Sequence, residues 1–217
     1  MNSSVVTPTT TAVRLELPQA TLLGDLTVPA RASGIVVFSH GSGSSRLSSR
    51  NRFVAQRLQK AGFATLLFDL LTPEEDQHFE ARFDIDLLTR RLLGATSWVR
   101  REQRLHDLRL GFFGASTGAA SAMRAAAELG SQVHAVISRG GRPDLVLPAL
   151  HRVSAPSLLI VGGQDWPVIG LNEQAMDALG GPCQMRVVQG AGHLFEEPGA
   201  LEEVADLAVN WCTRYLR

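Results

Sequence analysis

Residues Arg109–Gly118 read RLGFFGASTG, and no other segment constrains the fold as strongly. A short apolar run (Leu110, Phe112, Phe113) stops at Gly114. The pattern G-x-S-x-G then occupies Gly114–Gly118, and Ala119–Leu129 (AASAMRAAAEL) is dense in helix formers. Strand, tight turn and helix in that order give the pattern a physical meaning. A serine at the apex of such a turn must hold a strained backbone, and a side chain at Gly114 or Gly118 would collide with the neighbouring strand or helix. The strain lifts the Ser116 hydroxyl off the sheet, where a substrate and a base both reach it. Taken alone, the pentapeptide also describes a glycine-softened turn whose serine caps the helix. The rest of the chain decides between the two.

From residue 34 onward, strand patterns alternate with helix patterns. The strands are Gly34–Ser39, Ala64–Leu70, the run before Ser116, Val133–Ser138, Ser157–Val161 and Gln184–Val188. Apolar residues at helical spacing mark Asn51–Ala61, Asp84–Arg100, Gly170–Leu179 and Leu201–Leu216, beside the Ala119–Leu129 segment. Ala12–Leu17 and Leu22–Val28 read as an antiparallel pair at the sheet edge. Thr72–Arg82 is polar and acidic and reads as a loop; Asp144–Arg152 is a short helical or irregular connection. Residues 1–11 are polar and expected to fray, leaving 12–217 as one domain. The pattern predicts an α/β fold with a mostly parallel central sheet and helices on both faces. Functional groups then gather at the carboxyl ends of the strands.

That rule sorts the titratable residues. Only His40 and His193 directly follow a strand. Asp69 and Asp165 close strands, and Asp144 lies just past one. A serine hydroxyl needs a base within hydrogen-bond reach, and the base needs an orienting acid. Ser116, Asp165 and His193 each follow a different strand, in the chain order Ser…Asp…His that accompanies this motif when it is catalytic. Gly162 and Gly163, and Gly190 and Gly192, supply the turns that aim the acid and the base inward. His40 is the competing base, although its place before a glycine-rich loop favours a bracing role. Asp69 is the reserve acid, and the alternative for Asp165 is a helix N-cap ahead of Pro167. An attacked carbonyl also needs two preorganised N–H donors. These are expected from Thr117, at the start of the helix, and from the His40–Ser45 loop, Ser42 first and Gly43 next.

The 217 residues are 45% hydrophobic, enough for one core, and carry no formal net charge. No basic surplus points to nucleic acid or to an anionic membrane. Cys183 and Cys212 are too few for a disulfide framework and show no metal spacing. The N-terminus has no signal-peptide pattern and no apolar run is long enough to span a bilayer. These readings predict a soluble cytoplasmic protein without a metal; they leave the oligomeric state open.

The segments HGSGSS, GASTG, GGQDWPV and GAGHLFEEP at successive strand ends resemble those of α/β-hydrolases of the dienelactone-hydrolase-like branch. The resemblance implies Ser116 as nucleophile, Asp165 as acid and His193 as base, with no cofactor and a small-molecule ester as substrate. Dienelactone hydrolases proper carry cysteine at the nucleophile. Serine at this position favours ordinary carboxylic or thio esters through an acyl-enzyme. The connection Gly140–Pro156, where many relatives carry a lid, is short, so no large cap is expected. Trp166 and Phe195 adjoin the acid and the base, either lining an acyl pocket or only packing. Arg46, Arg50, Arg139 and Arg142 sit near the rim, and Arg139 is the best candidate to hold a substrate carboxylate. Three other functions were compatible with parts of the sequence. An acyltransferase would use the same three residues. A non-catalytic binding protein could sit on the same scaffold. The Gly41-Ser42-Gly43 turn imitates half of a dinucleotide-binding fingerprint, but Arg46 stands where its third glycine belongs.

Overall fold

The central strand is β3 (Gly34–Ser39), a β-branched and aromatic run with every residue buried. Only a strand covered on both faces tolerates such a run. On one side it pairs in parallel with β4 (Ala64–Phe68), and on the other with β5 (Arg109–Ala115). Outward from β5 lie β6 (Val133–Arg139), β7 (Ser157–Gly162) and β8 (Cys183–Val188), all parallel. Outward from β4 lies the antiparallel pair β2 (Ala20–Thr27) and β1 (Thr10–Leu17). The full order is β1-β2-β4-β3-β5-β6-β7-β8. The strand order therefore reverses at β3, and the loops after β3 and β5 flank the crevice where ligands bind in open α/β sheets.

Helices α1 (Ser49–Lys60) and α5 (Ala200–Tyr215) cover one face of the sheet; α2 (Ile85–Arg101), α3 (Thr117–Leu129) and α4 (Trp166–Ala178) cover the other. Two apolar layers result. Phe38, Phe63, Phe113 and Phe195 fill one, and Phe68, Phe112 and Met123 fill the other. Asp84 caps α2 by accepting a hydrogen bond from Leu87 N–H at 2.9 Å. The connection from β6 to β7 is a kinked 3-10 segment, Pro143–Arg152, packed on α3 and α4, and among the described residues no cap domain rises over the strand ends.

The computed structural model describes residues 9–217. It extends β1 back to Thr10, two residues before the boundary read from the sequence, because Thr10 pairs with Thr27 through backbone register and a 2.8 Å hydroxyl contact. Residues 1–8 of the segment expected to fray lie outside the described residues. Helix α4 starts at Trp166 rather than Gly170: Pro167 is preorganised for a first helical turn, and the apolar spacing did not reveal it. Strand β4 stops at Phe68; Asp69 N–H still donates to Leu23 O of β2 at 2.9 Å, while its carboxylate meets Arg46. The acidic loop after β4 contains two short 3-10 turns, Glu75–Gln77 and Phe79–Phe83.

Candidate active site

Ser116 sits between β5 and α3 with φ 51° and ψ −123°, a left-handed backbone that a non-glycine residue rarely adopts. Its neighbours over-determine this strain. Ser116 N–H donates to Arg139 O at 3.2 Å, and Ser116 O accepts from Ala119 N at 3.0 Å and Arg142 N at 3.1 Å. A Cβ on Gly118 would lie 2.5 Å from His40 O, and one on Gly114 would lie 2.7 Å from Gly118 O. Both glycines are therefore required by close backbone approach. Ser116 stands in the N-cap position of α3, yet its side chain makes no capping hydrogen bond, so the hydroxyl is left free.

The hydroxyl meets His193. Ser116 Oγ lies 3.4 Å from His193 Nε2, and His193 Nδ1 lies 2.6 Å from Asp165 Oδ2. A carboxylate accepts only, so Nδ1 carries the ring proton and Nε2 faces the serine as an acceptor. Asp165 occupies the N-cap position of α4 without capping it; its carboxylate is given to the imidazole instead. The close approach of two loops holds the pair together. Gly163 N donates to Val188 O at 2.8 Å and Gln164 N to Ala191 O at 2.9 Å. A Cβ on Gly162 would meet Ala191 O and Gly192 O at 2.5 Å. Beyond the base, Glu197 Oε1 accepts from Gly192 N at 2.9 Å and ties off the turn. Glu197 had no role in the sequence reading. The signal available was an acid five residues after a turn glycine, which is too common to single out.

His40 is spent on architecture. Its Nε2 accepts from Leu70 N at 3.0 Å, and its Nδ1–H donates to Gly41 O at 2.9 Å. Burial holds its pKa below the ordinary 6.5, against the smaller opposing effects of the Gly41 carbonyl and Asp69. Asp69, the reserve acid, is bound to the backbone and guanidinium of Arg46 and not to a histidine. Gly41 lies against Ser116: a Cβ there would be 3.1 Å from Ser116 Cβ. The next amide, Ser42 N–H, was expected to face an attacked carbonyl. It donates instead to Thr117 Oγ1 at 2.9 Å, because the loop after β3 closes directly onto the first residue of α3.

The four rim arginines separate clearly. Arg46 pairs with Asp69, Arg50 with Glu196 at 2.9 Å, and Arg142 with both Asp144 oxygens at 2.8 Å. Arg139, at the end of β6, is only 6% exposed, and its Nε is buried with no hydrogen-bond partner. Its guanidinium lies 5.8 Å from the centre of the Phe195 ring. Burial, and then the charge of Arg50, push its pKa below the ordinary arginine range, to about 10. Phe195 itself is 1% exposed with φ 56°; its ring belongs to the core beneath the His193 turn rather than to an open acyl pocket. Trp166 is 75% exposed on the first turn of α4, next to Asp165. Among the described residues, no three His, Cys, Asp or Glu side chains gather as metal ligands would, and no helix is long and apolar enough to cross a membrane.

The sequence profile of the dienelactone hydrolase family matches residues 20–211. The chain belongs to that family. A dienelactone hydrolase from Anabaena variabilis is 52% identical and superposes with a TM-score of 0.95, covering 98% of this chain and 100% of that one. An esterase domain from Rhodothermus marinus has the same fold at 17% identity, with a TM-score of 0.78 over 96% of this chain and 100% of its own. Curated sequences from two strains of Mycobacterium tuberculosis, provisionally named phosphoribosyl transferases, are 56% identical over 193 residues. That match covers 89% of this chain but 44% of theirs, so the chain spans about half the length of those relatives. Membership of the dienelactone hydrolase family, together with this fold, supports a hydrolase. The hydrogen-bonded series described above lies on the rim where such a fold gathers functional groups.

Proposed function

We propose that this dienelactone hydrolase family member is a serine hydrolase of carboxylic or thio esters that works through an acyl-enzyme. The observation that carries the reading is the series Ser116 Oγ–His193 Nε2 at 3.4 Å and His193 Nδ1–Asp165 Oδ2 at 2.6 Å. Nε2 takes the Ser116 proton as Oγ bonds to the carbonyl carbon, and the carbonyl π pair moves onto oxygen. The imidazolium, stabilised by Asp165, then protonates the leaving alcohol or thiol as its bond to carbon breaks. Water repeats the two steps and frees the acid. A contact of 3.4 Å is the loose geometry of a resting site that tightens around substrate. The Thr117 amide, the first of α3 and without a partner inside the helix, serves the oxyanion, and the Ser42 amide stands behind it, donating to Thr117 Oγ1.

We assign Arg139 to an anionic group on the substrate, since it is the rim arginine that no carboxylate neutralises among the described residues. Trp166 offers exposed apolar surface beside the site, and Phe195 supports the His193 turn from below. The free Cys183 and Cys212 are consistent with a reducing, cytoplasmic setting. Ester hydrolysis, not phosphoribosyl transfer, is what the series supports; the transferase name belongs to chains about twice as long.

The test is direct. A fluorophosphonate probe should label Ser116, and turnover of p-nitrophenyl acetate should vanish in Ser116→Ala. Labelling at another residue, or turnover that survives the substitution in folded protein, would overturn the proposal.

A further inference from the structure

The side chain of Thr117 is used in an unusual way. A threonine inside a helix commonly donates its hydroxyl proton to the carbonyl four residues back. Thr89 does so to Ile85 O at 2.6 Å, and Thr96 to Leu92 O at 2.9 Å. Thr117 has no such outlet. It is the first residue of α3, and the residue four back, Phe113, lies inside β5. Thr117 is 5% exposed, and its hydroxyl accepts a hydrogen bond from Ser42 N–H at 2.9 Å. Among the described residues its own proton has no acceptor. The neighbouring loop residue, Gly41, is pressed against Ser116, so this hydroxyl sits at the junction of the β3 loop and the Ser116 turn.

We infer that the Thr117 hydroxyl is itself an oxyanion donor. The inference rests on the serine-hydrolase reading above and deepens it. When Ser116 Oγ bonds to the carbonyl carbon, the new oxyanion receives Thr117 N–H and Thr117 O–H from one residue. Ser42 N–H acts behind them: by donating to Thr117 Oγ1 it polarises the O–H bond and strengthens the hydrogen bond the hydroxyl makes. The Ser42 amide thus contributes through the hydroxyl rather than by direct contact. No proton is transferred along this chain; both hydrogen bonds persist while the charge forms, and relax when the leaving group departs.

The experiment compares Thr117→Val, which keeps the shape and the backbone amide, with Thr117→Ser, which keeps the hydroxyl. Both are assayed on p-nitrophenyl acetate and with an alkyl trifluoromethyl ketone, whose hemiketal adduct carries an oxyanion. Thr117→Val should lower kcat about 100-fold, as loss of one oxyanion donor does, with KM within about twofold. Its trifluoromethyl ketone Ki should rise by a similar factor. Thr117→Ser should stay within about fivefold of wild type on both measures. Thermal melting confirms that each variant is folded; if Thr117→Val is not, Thr117→Ala compared with Thr117→Ser makes the same test. Thr117→Val as fast as wild type, or faster, would overturn the inference, because the hydroxyl would then only occupy the Ser42 amide at rest. Equal losses in Thr117→Val and Thr117→Ser would also overturn it and assign the effect to methyl packing. Turnover that survives Ser116→Ala would instead remove the serine reading beneath it, whatever Thr117 does.

Discussion

Replacing Arg139 by methionine should make the protein more stable. Arg139 is 6% exposed, and its guanidinium feels a second cation, Arg50, which is itself engaged with Glu196. A pKa pushed down from the ordinary arginine range to about 10 means that the fold disfavours the charged form by about 3 kcal/mol relative to the unfolded chain. The cation stacked 5.8 Å from the Phe195 ring recovers about 1 kcal/mol. Methionine matches the arginine stem in shape and needs no counter-ion, so the net gain is about 2 kcal/mol. For a domain of this length that is a rise in Tm of about 4–8 °C. The sign with pH follows from the lowered pKa. Above about pH 10 the unfolded chain still binds the proton and the folded one does not, so the penalty fades only as pH rises past that value. From pH 6 to pH 9 both states are charged, and the difference between variant and wild type should stay constant. Circular dichroism melts and urea midpoints across that range measure it. In the same variant, the ratio of kcat/KM for p-nitrophenyl hemisuccinate over p-nitrophenyl butyrate should fall at least about tenfold. A Tm equal to or below wild type would show that the protein already compensates Arg139. An unchanged ester ratio would remove its anion-binding role.

Two further predictions concern the frame around the site. Gly118→Ala should cost at least about 3 kcal/mol, since the new methyl meets His40 O at 2.5 Å and backbone cannot swing away as a side chain can; a melt within 2 °C of wild type, on the order of 1 kcal/mol, would refute the packing argument. For His40, burial lowers the folded pKa below 6.5, so the unfolded chain binds the extra proton first. The stability that the neutral ring contributes is complete above pH 6.5 and is lost as pH falls toward and through the folded value. Protonation also removes the acceptor for Leu70 N–H. The urea midpoint should therefore decline below pH 6.5, less steeply in His40→Gln, and parallel slopes would assign the decline to other groups.

The sequence alone determined the alternation that builds the sheet, because buried parallel strands must be written as continuous apolar runs and β3 to β7 are. It also determined which side chains stand at strand ends, and so which could meet. The two glycines that flank Ser116 were legible as close approaches, and Gly114 and Gly118 both prove to be backbone contacts that no side chain fits. What it left open were choices among equivalents. Asp165 in an N-cap position, Ser116 at a helix start and four arginines on one rim each had a structural use as ready as a functional one. Tertiary structure decided them by where the partners lie. Asp165 ignores its helix for a histidine 28 residues away. Three arginines find carboxylates, and Arg139 is buried without one among the described residues. The Ser42 amide and the Thr117 hydroxyl, 75 residues apart, meet only because two loops close on each other. Local pattern records what a residue does for its own segment. A hydrogen bond across the sheet depends on distances between segments, and those exist only once the chain has packed.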